Sequence, residues 1–218
     1  MLQAIIFDMD GVLVIGTGYV WKSFSIVLNK YGIDISQSDR KKYLGKSLAD
    51  QIKMWKEEYN IQQDIILEDF AKEALTYQLE FMKNELHPDK DVQKLIAEAK
   101  EKGIKIAVGT SSHKERAITM LKLVGVFDKI DALATFEDVE NAKPAPDIFL
   151  KAAELMNIQP ENCLVIEDAL NGIEAARAAH MKVIGKVGPH HTKEELEIAD
   201  FVFENFDEIT LQNIENLF

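Results

Sequence analysis

Ala4-Ile5-Ile6-Phe7-Asp8-Met9-Asp10-Gly11-Val12 is the stretch whose reading decides the fold. Four apolar residues run straight into two carboxylates spaced i, i+2, and a glycine follows at once. The run is short and half β-branched, which predicts a fully buried strand of a parallel sheet. Alternation along that strand sends Asp8 and Asp10 to the same side as it unwinds. Gly11 lets the chain turn there without a Cβ in the way. Two carboxylates a few ångströms apart repel, so the pair calls for a cation or a shared proton. By itself Asp-x-Asp-Gly also ends ordinary strands, and the weight comes from the rest of the chain.

The chain has 218 residues, 47% of them hydrophobic, enough for one domain with a large insert or for two small ones. Its 25 basic and 37 acidic residues give a net charge of -12, which argues against binding a nucleic-acid backbone. A small anionic substrate stays open, because a local site can be positive in an acidic protein. Cys163 is the single cysteine, so no intramolecular disulfide forms, and within Cys163-Leu164-Val165-Ile166 it reads as a buried small hydrophobe. The start of the chain lacks a basic stretch ahead of an apolar one and does not read as a signal peptide. No apolar run approaches the roughly 18 residues of a membrane span. The expectation is a soluble, cytoplasmic protein with no membrane or nucleic-acid partner.

Residues 15–85 read as helix throughout. Trp21, Phe24, Val27, Leu28 and Tyr31 share one face, ended by Gly32. Leu48, Ile52, Trp55 and Tyr59 form a second stripe behind the N-cap Ser47, and Phe70, Ala74, Tyr77 and Phe81 form a third. Such stripes are helix-bundle core far more often than a ligand box. From about residue 88 helix and strand alternate. Ile104–Val108 is a strand ending at Gly109-Thr110-Ser111-Ser112, and Ser112 with Glu115 is predicted to be the capping box of the next helix. Ala132–Ala134 is a short strand, Lys143-Pro144-Ala145-Pro146-Asp147 an irregular loop, and Cys163–Ile166 a buried strand ending at Glu167-Asp168. Val183-Ile184 and Phe201–Phe203 add further strands. Alternation of this kind implies a parallel sheet covered on both faces. Ligands bind beyond the carboxyl ends of such strands. Asp8/Asp10, Thr110/Ser111 and Glu167/Asp168, with Lys143 in a loop between, are therefore expected to converge on one edge. The pair His190-His191 lies between a Gly-Pro turn and a capping box at Thr192–Glu195, and reads as loop; His87, His113 and His180 have no partner pattern.

Phe7-Asp8-Met9-Asp10-Gly11-Val12, Gly109-Thr110-Ser111-Ser112, Lys143-Pro144 and Ile166-Glu167-Asp168 resemble, in order and spacing, the four motifs of the haloacid dehalogenase-like hydrolases. Lys143-Pro-Ala-Pro-Asp-Ile-Phe and Glu167-Asp168-Ala-Leu-Asn-Gly-Ile look most like the β-phosphoglucomutase-like branch. The resemblance covers essentially the whole chain. It implies an α/β fold, a Rossmann-like parallel-sheet core of residues 1–14 and 86–218 with an α-helical cap domain of residues 15–85 inserted. It implies that Asp8 attacks a phosphoryl group and that Asp10 protonates the leaving oxygen and then activates water. Mg²⁺ would be held by Asp8, the backbone carbonyl of Asp10 and Asp168, with Glu167 ligating directly or through water. Gly11, Thr110, Ser111, Lys143 and the cap-loop Lys46 would bind phosphate. The implied activity is hydrolysis of a small phosphate monoester, a sugar phosphate first among them.

Two departures bear on the choice within that branch. Its mutases carry a His in the first cap helix, where this chain has Val20, and an Arg close to Leu48, where only Lys46 is at hand. A mutase must hold a bisphosphate and keep water from its phosphoenzyme, so these losses favour a phosphatase. A phosphosugar mutase is the alternative, and a non-catalytic interaction protein on the same fold the second. Nothing in the sequence sets the oligomeric state, and a monomer is compatible with it.

Overall fold

The computed structural model describes the chain except residues 16, 37, 38, 44–46, 87, 189 and 190, and of 17, 41 and 85 only the backbone. The chain divides into two compact units, residues 1–15 with 87–218, and residues 16–86.

In the larger unit the strands are β1 Ala4–Phe7, β2 Lys105–Gly109, β3 Ala132–Ala134, β4 Cys163–Glu167, β5 Lys182–Lys186 and β6 Phe201–Phe203. They form one sheet in the order β3-β2-β1-β4-β5-β6, with all neighbours parallel. Every residue of β1 and β4 is buried, which is why β1, and β4 up to Glu167, read as apolar runs: in a parallel sheet helices cover both faces. Phe7 pairs with Val108 on one side and Ile166 on the other, so the residue after β1 emerges between the ends of β2 and β4. The strand order reverses between β1 and β4, and the crevice at such a reversal is where open α/β sheets bind ligands.

The helices of this unit are α4 Lys90–Glu101, α5 Lys114–Leu123, α6 Asp147–Met156, α7 Leu170–Ala178 and α8 Leu211–Glu215, numbered after the three of the smaller unit. On α6, Phe149, Ala152 and Met156 face the sheet with Ile6, Ala107, Val165 and Val183 in one cluster. The Thr192–Glu195 box forms, with the Thr192 amide donating to Glu195 Oε2 at 2.8 Å, and opens a 3-10 turn rather than an α-helix.

The smaller unit consists of α1 Thr17–Asn29, a 3-10 turn Asp39–Tyr43, α2 Leu48–Glu58 and α3 Leu67–Glu85. Ser47 caps α2 by accepting the Asp50 amide at 3.1 Å. The aromatic stripes meet in its core: Phe24 lies 5.4 Å from Phe70 and 6.0 Å from Trp55, and Trp55 lies 5.7 Å from Tyr43, measured between ring centroids. These are edge-on pairs, which add to the gain from burial. Their sequence reading as packing residues stands.

Candidate active site

The carboxyl edge of the sheet gathers the charged residues picked out in the sequence. β1 ends one residue before Asp8, whose amide still donates to the Ile166 carbonyl at 2.9 Å. That bond fixes Asp8 against β4. Lys143, from the loop before α6, donates to Asp8 Oδ1 at 2.5 Å and to Glu167 Oε1 at 2.7 Å. It also lies over the Phe149 ring, 4.7 Å from the centroid. All three side chains are almost wholly removed from solvent. Burying charge is costly unless geometry and further hydrogen bonds offset it. Burial lifts the Asp8 carboxyl well above the usual range, against the pull of Lys143. Burial also works against the Lys143 charge, but Asp8 and Glu167 outweigh it and hold the ammonium above its ordinary pKa. One cation thus faces two acids.

Glu167 is held at its other oxygen by the Ala169 amide at 2.7 Å, at the start of α7. Its fit depends on Gly172, where a Cβ would stand 1.8 Å from Glu167 Oε1. Asp168 comes to rest against the turn after β1: a Cβ on Gly11 would stand 2.0 Å from Asp168 Oδ2. Gly11 itself has φ +90°, so the position asks for glycine on both counts. Burial and the neighbouring Glu167 push the Asp168 carboxyl up to about 6. Lys186, at the end of β5, is buried too, and burial lowers its pKa against the attraction of Asp168.

Asp10 behaves differently. The turn that follows β1 closes through Leu13 and Val14 amides on the Met9 carbonyl, and strand alternation no longer governs Asp10. Its carboxylate turns to α5, where Arg116 grips it by both oxygens, Nη2 to Oδ1 at 2.6 Å and Nη1 to Oδ2 at 2.8 Å. Ser112 donates to the same Oδ2 at 2.9 Å. The basic side chain facing Asp8 is therefore Lys143, and the one facing Asp10 is Arg116.

That use of Ser112 corrects the expected capping box. The N-cap of α5 is His113, with no side-chain cap of its own, and Ser112 is engaged by Asp10 and Arg116. Glu137 takes over instead, accepting the Lys114 amide at 3.1 and 3.2 Å and meeting His113 Nδ1 at 2.8 Å. These contacts, that to His113 first, bring its carboxyl down to about 2. Thr110 is buried at the end of β2, its amide bonded to the Ala134 carbonyl and its hydroxyl accepting the Ser112 amide at 3.1 Å. Ser111 next to it is exposed. Lys46, His87 and His190 lie outside the described residues.

Asp8, Thr110, Lys143, Glu167 and Asp168 thus come to one edge, with Gly11 packed under Asp168. Arg116 and Lys186 were missed in the sequence. Arg116 had one signal, its position in the first turn of the helix that follows Ser112. Lys186 is the last residue of β5.

A hard divalent cation suits this donor set, which consists of oxygens: Asp8, Asp168 and a backbone carbonyl in the intervening turn. The raised carboxyls are what a metal would relieve. Among the described residues no three acidic, His or Cys side chains are already drawn into a ligand cluster. Lys143 holds Asp8 and Glu167, leaving Asp168 the least committed of the acids.

A family model described as haloacid dehalogenase-like hydrolase matches residues 5–186. The chain belongs to that family. A phosphorylated carbohydrates phosphatase of Thermotoga maritima is 28% identical over 183 residues, covering 84% of each chain. Arabidopsis thaliana Protein SUPPRESSOR OF QUENCHING 1, chloroplastic, is 32% identical over 192 residues, but this hydrolase, matched over 84% of its length, spans only 18% of that protein. The solved β-phosphoglucomutase of Clostridium difficile superposes with a TM-score of 0.76 at 29% identity, covering 99% of this chain and 96% of that one. The fold expected from the sequence is the fold found, and the enzyme class expected is that of curated relatives named as phosphatases. Among the described residues no helix is long and apolar enough to cross a membrane.

Proposed function

We propose that this hydrolase is a Mg²⁺-dependent phosphatase acting on a small phosphate monoester, a sugar phosphate first among candidates, through an aspartyl-phosphate on Asp8. The observation that carries the reading is the shared Lys143: it holds Asp8 and Glu167 within 2.7 Å while Asp168 abuts Gly11, so acids 160 residues apart in the chain meet at one rim. Asp8 attacks phosphorus, the bond to the ester oxygen breaks, and Asp10 protonates that oxygen. Water activated by Asp10 then releases phosphate. Thr110 and the Ser111 amide, at the approach to α5, bind the phosphoryl oxygens together with Lys143. Asp8, Asp168 and the Asp10 carbonyl would hold Mg²⁺, with Glu167 behind them. The ion would neutralise charge on the transferring group.

We assign residues 15–85 as the cap domain and look to it for substrate choice. A phosphosugar mutase is the second reading, favoured by the β-phosphoglucomutase neighbour. The test is phosphate release across a panel of sugar phosphates with Mg²⁺ and with EDTA. The phosphatase reading expects release that EDTA abolishes. Conversion of β-glucose 1-phosphate to glucose 6-phosphate with little free phosphate would favour the mutase. No turnover of any ester would leave a non-catalytic protein.

A further inference from the structure

Lys186 stands apart from the other cations of the sheet edge. It is 7% exposed. An ammonium carries three hydrogens to donate. Among the described residues the one hydrogen bond of Lys186 goes to the Val187 carbonyl, at 3.5 Å, longer than the usual range. Lys143, by contrast, is bonded to two acids. Burying a charge with so little to satisfy it is costly. Packing alone therefore does not account for a lysine at this position.

The register shows what Lys186 faces. Glu167 pairs with Gly185 across β4 and β5, so Asp168 and Lys186 come next on the two strands. A Cβ on Gly185 would meet Leu196, Ala199 and Ile173. Alternation turns Lys186 to the opposite face of the sheet. The chain then runs on along Asp168: a Cβ on Gly188 would stand 3.1 Å from Asp168 Oδ2. Of the cations around Asp168, Lys186 pulls hardest, ahead of Lys143. Asp89 also attracts Lys186, but its carboxylate already caps α4 through the Asp91 and Val92 amides. The hold of Lys186 on Asp168 is thus one of charge, and a second cation can reach that carboxylate without first breaking a bidentate pair. Like charges sharing one carboxylate repel, and more strongly in buried surroundings than in water.

Resting on the Mg²⁺ assignment of the phosphatase reading, we infer that Lys186 is a positioning residue for the cation site: its ammonium is a built-in counter-charge for Asp168, shares that carboxylate with the divalent ion, and holds down the Mg²⁺ affinity of this edge. Lys143 and Lys186 then divide the work. Lys143 fixes Asp8 and Glu167 by hydrogen bonds, and Lys186 sets the strength of the metal ligand Asp168 by charge.

The experiment titrates Mg²⁺ into the full chain by isothermal calorimetry at fixed ionic strength, in wild type, Lys186→Met, Lys186→Gln and Lys182→Met. Lys182 begins β5, about 13 Å away along the strand. Its removal changes the net charge equally and leaves Asp168 alone. Removing the Lys186 charge is expected to tighten Mg²⁺ binding about tenfold. The Mg²⁺ concentration for half-maximal phosphate release should fall in step, and Lys182→Met should bind as wild type does. Two neutral variants of different polarity keep the test alive if one fails to fold. Unchanged or weaker binding in the neutral Lys186 variants, or equal tightening in Lys182→Met, would overturn this role for Lys186 alone, since EDTA-sensitive phosphate release by wild type would still stand. A wild type that binds no Mg²⁺ would overturn it together with the Mg²⁺-dependent reading.

Discussion

The two units of the chain dispose of their polar groups in opposite ways. In the α/β unit Asp8, Thr110, Thr135, Glu167, Asp168 and Lys186 are buried; in the helical unit Ser23 is the one buried polar side chain among the described residues. The helical unit keeps its charges outside, as in Lys42–Glu58 and Lys56–Asp64, and fills its interior with Trp55, Tyr43, Phe24 and Phe70. Burying an apolar ring is favourable by itself. Burying several acids around too few cations is not, and Asp8, Glu167, Asp168 and Lys186, with the Lys143 side chain beside them, are charged groups buried at one sheet edge. Stability accounts for the first arrangement; only chemistry at the site accounts for the second.

That contrast can be broken at its strongest point. Lys143→Met leaves Asp8 and Glu167 buried side by side with no cation. We expect a loss of about 3–5 kcal/mol in urea unfolding and loss of phosphate release. Adding Glu167→Gln should recover part of the stability and none of the activity. Recovery of both would make Lys143 a structural counter-ion only. In the helical unit Trp55→Ala should cost a similar 3–5 kcal/mol, by cavity formation instead of bare charge. Its cost should stay flat between pH 5 and 8, while that of Lys143→Met varies with pH.

The smallest effect has the opposite sign. The Asp168 carboxyl titrates near 6 in the folded chain against an ordinary 3.8. Between those values the folded state binds more protons than the unfolded one, so stability falls as pH rises through that window. By pH 8 the full cost is present, up to about 3 kcal/mol. Asp168→Asn should therefore be more stable than wild type at pH 8 in EDTA, with the gap closing toward pH 4. Mg²⁺ should stabilise wild type and not the variant. A variant less stable than wild type at pH 8 in EDTA would show that Asp168 is not strained by its surroundings.

What could be read from the sequence divides along the same line. Short apolar runs gave the sheet because parallel strands are buried on both faces, and periods of three and four gave the helical core. Strand-end positions brought Asp8, Thr110, Glu167 and Asp168 together because topology alone sends them there. Lys143 was found by its motif. Arg116 was not found, because its meaning lies in the direction Asp10 takes after the strand ends, and alternation stops carrying information at Phe7. Ser112 was misassigned for the same reason: its pattern fitted a local cap, and a tertiary partner claimed it. Lys186 was passed over because no local pattern distinguishes a buried strand-end lysine from a solvated one.

The central claim is that Asp8 is the group that becomes phosphorylated at this rim. The most direct measurement is the intact mass of the protein after acid quenching during turnover of the best substrate with Mg²⁺, followed by peptide mapping. The account predicts one added phosphoryl group on the peptide containing Asp8, absent from Asp8→Asn, whose phosphate release should fall by at least about a thousandfold. A phosphoryl group found elsewhere, or undiminished turnover by Asp8→Asn, would contradict it.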